Sequence, residues 1–431
     1  LRVKANILPS FNRRNFHLGV ANGAFFRLAE TLIDREMVLT WFLAQLNVSN
    51  IWVGLITPLR MGSSFILQLF VSGYLERKPY KLPFYGMVSI FRCTILLVWA
   101  YVIARIPITS SWLILGFFIC LILFSLGSGL VGIPFMDITA KVIPPNRRGA
   151  FFSQRLFWGG VLGIGASWFI GYMLSAPGGL HFPVNVAWLI GLASFFWLLT
   201  AICWMLIKEP PGQIVRRRNS WFRQFRRGFL LLRDDANYRM YALVRFMLSL
   251  SSWATPFYIV YAKSELQISP QLIGLYLGAR TTASILSNLI WGRISDRAGN
   301  RTLLRYAIVV GLAMPGLALL IGMLHRNLPG GFSWLSYAFT LVFIASGAYT
   351  AATGVGMTNF MLDLAPPGKR PLYLAFNSTL FGFIAFASFL GGVIVESSGF
   401  TILIVFSACC FLGALVLSGR LVEPRKQPET A

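Results

Sequence analysis

The chain has 431 residues, 56% hydrophobic and 12% charged, with a formal net charge of +24. A soluble domain carries about a quarter charged residues, and one water-facing globule has no interior large enough for so much apolar surface, so the composition excludes an ordinary soluble fold and points to repeated crossing of a bilayer. Three His and five Cys without metal-ligand spacing predict no metal centre, cofactor or disulfide framework.

A spanning helix needs about 20 mostly apolar residues. Twelve such segments can be placed, at 17–45, 50–74, 83–104, 111–135, 151–174, 186–207, 239–262, 270–291, 303–324, 333–358, 373–395 and 399–419. The expected fold is an all-α polytopic membrane protein with two six-helix bundles, 1–207 and 239–431, joined by a basic linker at 208–238. The basic start LRVKANILPSFNRRNF leads into no short apolar core with a cleavage site, so no cleavable leader is expected. Between spans, 28 Lys and Arg fall on the side of the N-terminus and three (Arg105, Lys263, Arg326) on the other. The positive-inside rule then places both termini in the cytoplasm, in a plasma or inner membrane. The charge is thus a topology signal, and no nucleic-acid partner is expected. The linker breaks at Pro210–Pro211; beyond it Trp221, Phe222, Phe225, Phe229 and Leu232 alternate with arginines, as in a basic amphipathic helix at the membrane surface.

The two bundles repeat each other. A shift of 220 residues lays SNIWVGLITPLR (49–60) on SPQLIGLYLGAR (269–280), matching Arg60 with Arg280 and Glu76–Arg77 with Asp296–Arg297. A shift of 222 lays IPPNRRGAFF (143–152) on APPGKRPLYL (365–374). Parallel six-helix repeats are a transporter architecture.

Between the eighth and ninth spans lies Gly292-Arg-Ile-Ser-Asp296-Arg297-Ala-Gly299-Asn-Arg301. It resembles the G-x-x-x-D-R-x-G-x-R signature of the major facilitator superfamily at the place of its second-half copy. The first-half copy, SGYLERKPYK (72–81), is degraded, with Glu76 in place of Asp and no second Gly. The resemblance extends over the chain through span count, central loop and repeat, and it implies a secondary transporter working by alternating access. The motif then implies a gating latch made of Gly292, Asp296, Arg297, Gly299 and Arg301, with Glu76 and Arg77 in the first half. Its carboxylate would meet a helix N-terminus or a nearby Arg. Asp137, near Lys141, Arg147 and Arg148, is expected to act similarly, and Asp363 beside Lys369 and Arg370 forms either a latch or an interfacial ion pair.

Charge inside a span costs at least ~2.5–3.5 kcal/mol on insertion scales and demands a partner or a wet cavity. In the first span Arg27, Glu30 and Asp34 fall within about 60° of one helical face, whereas Glu36 points the other way. Arg60, Arg92, Arg155, Arg245 and Arg280 lie within other spans. Arg280 has no deep acid in the second half; a first-half carboxylate, a carbonyl or a bound anion are its open partners. Arg60 and Arg280, matched by the repeat, suit an anion clamp, and nitrate/nitrite porters are similar in placing arginines on the second and eighth spans. The fifth and eleventh spans lack that group's Gly-Asn-Gly-rich signature, which argues against nitrate itself. The alternative pairs Arg60 with Glu30 or Asp34 and has Arg280 cap a carbonyl.

The substrate is therefore expected to be a small anion or zwitterion held by Arg60 and Arg280, with Tyr258, Asn359 and Asn377 lining the passage beside Gln68, Trp253 and Tyr349. Glu30 and Asp34 are the candidates for carrying a coupling proton or ion. A monomer in the lipid bilayer is expected, with no enzymatic centre. The alternatives are a proton-coupled exporter of hydrophobic compounds and, from another class, a non-transporting receptor or assembly protein. The fourth span, WLILGFFICLILFSLGSGLVGIPF, lacks the arginine that the exporter group uses for proton relay.

Overall fold

The computed structural model describes residues 12–75, 78–212, 221–327, 334–366 and 370–424. All regular structure among them is helical, because a chain in lipid must satisfy its backbone within each segment. In chain order the helices are α1 (Arg13–Leu32), α2 (Val38–Gln45), α3 (Asn50–Leu75), α4 (Leu82–Arg105), α5 (Ser111–Val142), α6 (Arg148–Leu174) and α7 (Val184–Met205). The linker helix α8 (Trp221–Asp234) follows, then α9 (Ala236–Ser251), α10 (Phe257–Leu266), α11 (Leu272–Ala298), α12 (Asn300–Asn327), α13 (Trp334–Ala338), α14 (Thr340–Leu364), α15 (Arg370–Phe386), α16 (Leu390–Ser398) and α17 (Phe400–Ser418).

Among the described residues nine stretches are long and apolar enough to cross a membrane, each overlapping a predicted span. The other three predicted spans correspond to α1 with α2, to α3 and to α11. The chain is an integral, multi-pass membrane protein. Helix ends follow capping chemistry: Asn12, Ser110 and Asp235 each accept a backbone N–H in the first turn of α1, α5 and α9, satisfying groups the helix leaves unbonded.

The first predicted span is not continuous. The helix stops at Leu32 and resumes at Val38, leaving Ile33–Met37 non-helical. The shared face expected for Arg27, Glu30 and Asp34 therefore fails at Asp34, which lies within the break. The eighth span runs further than expected, to Ala298, so the signature is mostly helical and its turn is Gly299 alone, at φ +90°. Only glycine adopts that conformation without strain.

Residues group into two compact units: Leu1–Asp34 with Leu59–Arg217, and Arg35–Pro58 with Arg218–Ala431. The hairpin 35–58, which the sequence assigns to the first bundle, groups with the second unit. One boundary falls in the break of the first span and the other at Pro58, inside α3. In unit 1, α1 packs on α6 and α7, and α4 on α5 and α7, around Phe16, Tyr85, Ile138, Phe151 and Trp204. In unit 2, α14 packs on α11 and α12, and α17 on α9 and α12, around Tyr238, Tyr241, Phe360, Phe376 and Phe411.

Candidate functional site

Unit 1 gathers four arginines of its spans around a few polar partners. Arg60 on α3 donates from Nη2 to Glu30 Oε2 on α1, with side chains 11% and 29% exposed. Arg155 on α6 donates to Gly19 O and, at 2.9 Å, to Asn22 Oδ1; its guanidinium lies 4.8 Å from the Phe135 ring centre. Arg92 on α4 is only 2% exposed. Its guanidinium stacks 3.7 Å from the Trp197 ring centre and 4.4 Å from that of Phe124. Arg27 is exposed, and its stem lies against Gly159 of α6. Set against these four, the helical part of the first span offers one carboxylate, Glu30, and the break adds Asp34.

The break itself carries the matching pair of unit 2. Arg280 on α11 donates to Glu36 Oε2 at 2.8 Å, and Glu36 Oε1 lies 3.3 Å from Arg35. Thr40 Oγ1 donates to the Arg35 carbonyl at 2.8 Å, tying the start of α2 to the break. Of the partners open to Arg280, the structure selects a first-span carboxylate. Glu36, expected on the other face of the first span, lies in the break and pairs with Arg280 there. Further along the hairpin, Lys263 donates to Ala44 O and to Asn47 Oδ1 (3.2 Å), and Glu396 accepts from Asn50 N at 2.9 Å. Gly392 permits backbone contact with Asn50 O, where a Cβ has no room.

The gating candidates divide. Glu76 and Arg77 lie outside the described residues. Asp296 and Arg297 are exposed at the end of α11, and Gly292 is half-buried with open space where a Cβ would stand. Among the described residues the acid at the N-terminus of α12 is Glu423, not Asp296: it accepts from Arg301 N at 2.7 Å and sits against Gly299. Arg301 also donates to Gly419 O at 2.8 Å. Asn359 donates to Ser295 Oγ (3.3 Å), Ser295 to Asn300 Oδ1 (2.6 Å), and Asn300 to Asp363 Oδ2 (2.6 Å). Asn359 thus belongs to a polar chain at the ends of α11, α12 and α14.

In unit 1 Asp137 bridges Lys81 and Lys141, both at 2.8 Å. Lys141 also reaches Glu209 at 2.7 Å, and Glu209 accepts from Lys81 N (2.9 Å) and Leu82 N (2.8 Å), capping α4. Lys141 is thus a partner of Asp137 as expected, whereas Arg148 serves the carbonyls of Ala140 and Ile143.

Of the lining candidates, Tyr258 is buried in α10, and Asn377 is 5% exposed with no hydrogen-bond partner for its Oδ1 among the described residues. Trp253 is buried and Tyr349 packs edge-on against Phe411. The side chain of Gln68 is outside those described. The sequence missed Glu209 and Glu423. Their available signal was the pair of Glu-Pro steps, Glu209–Pro210 and Glu423–Pro424, each just past the last span of its half.

Residues 241–431 match the family described as Major Facilitator Superfamily. A curated relative, "Sugar efflux transporter A" of Dickeya chrysanthemi, is 28% identical over 265 residues, 60% of this chain; the match spans 61% of the relative's length. The fold matches solved transporters over nearly the whole chain. A D-xylose–proton symporter superposes with a TM-score of 0.72 at 15% identity, covering 97% of this chain and 100% of that one. A bacterial homologue of the iron transporter ferroportin, inward-facing, gives 0.71 at 16% identity over 95% and 98%. At such identities the structural matches speak for the fold alone.

Proposed function

We propose that this chain, which belongs to the major facilitator superfamily, is a secondary active transporter moving a small anionic or zwitterionic solute by alternating access. The supporting observation is the pair of matched ion pairs, Arg60–Glu30 in unit 1 and Arg280–Glu36 in unit 2. The repeat aligns the two arginines, and each takes its glutamate from the first span, one before the break and one within it.

An ion pair is an exchangeable arrangement. A guanidinium fork takes a solute carboxylate or phosphate with the geometry it uses for a glutamate. Glu30 and Glu36 are 29% and 20% exposed, so neither is sealed inside the protein packing. An anionic solute that displaces a glutamate takes over its counter-charge, which makes Glu30 the first candidate for carrying a coupling proton or ion. Asp34, beyond the helical part of the first span, is the second candidate for the proton. The excess of basic residues on the side of the N-terminus supports cytoplasmic termini.

A second reading, an uncharged sugar as solute, is favoured by the sugar-efflux relative. Reconstituted vesicles loaded with a pH gradient separate the two. On the first reading, labelled carboxylates or amino acids accumulate, and Arg60→Gln or Arg280→Gln cuts the rate at least about tenfold, the loss of one charged hydrogen bond. Flux confined to neutral sugars overturns it.

A further inference from the structure

We propose that Arg92 anchors an anion subsite inside unit 1, one that takes the carboxylate or phosphate-type oxyanion of the solute. The proposal rests on the reading of the chain as a carrier of charged solutes, and it assigns that charge to a residue away from the two matched ion pairs.

Four observations converge on this arginine. Its side chain is buried within α4, a segment apolar enough to span the membrane, yet among the described residues no carboxylate stands within ion-pair distance of it. The faces of Trp197 and Phe124, at 3.7 and 4.4 Å, attract the cation but accept no N–H bond in its plane. Its Nε is buried without a hydrogen-bond partner, a state that buried polar groups rarely keep.

The same Phe124 ring lies 5.3 Å from the guanidinium of Arg60, whose Nη1 is likewise buried and unpartnered. Two cations thus lie near one ring, and among the described residues the carboxylate beside them is Glu30, which is bonded to Arg60. The surplus is one positive charge with unused donors. Room for the stem of Arg92 is provided by Gly127 of α5, where a Cβ would fall 2.5 Å from Arg92 Cγ. The helix packing therefore holds the guanidinium in place instead of letting it reach for an interface. A planar fork with a free N–H edge, fixed by stacking, is suited to an oxyanion and poorly suited to a neutral sugar.

Arg155 provides the internal control. It is also stacked on aromatic rings, but its Nη1 is bonded to Gly19 O and Asn22 Oδ1.

The purified full chain is titrated with sodium phosphate and with sodium acetate at constant ionic strength, and its thermal midpoint is followed. The wild type and Arg155→Gln are expected to be stabilised alike, whereas Arg92→Gln raises the half-saturating concentration at least about tenfold. Titration of Arg92→Gln indistinguishable from wild type overturns the subsite. Should Arg92→Gln not fold, Trp197 reports in its place: the anion-induced change in tryptophan fluorescence is expected to be lost in Trp197→Phe, and its survival unchanged overturns the proposal. In vesicles, charged-solute uptake with an unaltered KM in Arg92→Gln removes the subsite and leaves the transport reading standing. An Arg92-dependent thermal shift without uptake of any charged solute does the reverse.

Discussion

The start of α4 in unit 1 and the start of α12 in unit 2 occupy matched places in the repeat, with Lys81 aligned to Arg301 and Pro79 to Gly299. Both helices are capped by a glutamate from the exit of the last span of their half, Glu209 and Glu423. The lateral ties differ. Around Glu209 run ion pairs, Lys81–Asp137–Lys141–Glu209. Around the start of α12 run amide and hydroxyl bonds through Ser295, Asn300 and Asn359. The repeat has kept the carboxylate at the helix N-terminus, where the unbonded N–H groups and the helix dipole need it. Beside it the halves differ: Asp137 bridges two lysines in unit 1, whereas Asp363 accepts from the Asn300 amide in unit 2. Capping is therefore the shared task, and the lateral ties are where the halves diverged.

Removing each cap measures how far that divergence matters. Glu209 is 2% exposed in its side chain, so Glu209→Ala deprives two backbone N–H groups and Lys141 of a buried partner. The expected loss is about 3–5 kcal/mol of stability, the range for breaking a buried ion pair. Glu423→Ala removes a carboxylate bonded to one backbone N–H and is expected to cost about 1–3 kcal/mol. Equilibrium unfolding in mixed micelles checks both; equal losses would mean that the ion pairs of unit 1 add nothing to the cap.

The turns preceding the two caps give a smaller contrast. Gly299 has φ +90°, and a Cβ there would stand 2.5 Å from Glu423 Oε2. Gly299→Ala is expected to cost about 1–3 kcal/mol through backbone strain. Its counterpart in unit 1 is already proline, and the neighbouring Tyr80 is 50% exposed, so Tyr80→Ala stays within about 0.5 kcal/mol. The same unfolding measurement ranks the two, and a neutral Gly299→Ala would show that α12 tolerates a different entry.

Much of this architecture was legible because hydropathy is a strong signal over about 20 residues. The twelve segments all meet helices, and a helix, α8, lies within the linker where the aromatic spacing indicated one. The break of the first span was not legible. Ile33–Met37 fits a helix by spacing, and its departure from one goes with a contact far along the chain, Glu36 to Arg280. Glu209 and Glu423 were hidden for another reason. A Glu-Pro step after an apolar run reads as an ordinary helix stop, and the two steps are 214 residues apart, off the register of the other coincidences. The signature attracted attention to Asp296, yet the acid at the next helix start is Glu423, supplied from more than 120 residues downstream.

Salt distinguishes the two sets of lateral ties with the smallest expected effect. Asp137 is 33% exposed, so ions reach its bridge to Lys81 and Lys141. Asp137→Asn is expected to cost about 1 kcal/mol at low ionic strength and a few tenths near 0.5 M salt, where screening acts within about 4–5 Å. Asn300 is fully buried, and its bonds to Ser295 and Asp363 depend on contact geometry more than on long-range field. The loss in Asn300→Ala should therefore change little over the same salt range. The quantity to compare is the difference between low-salt and high-salt stability for each variant. A salt-independent Asp137→Asn would mean that its two lysines are held by Glu209 and the backbone alone, and the contrast between ion pairs and amide or hydroxyl hydrogen bonds would then lose its physical basis.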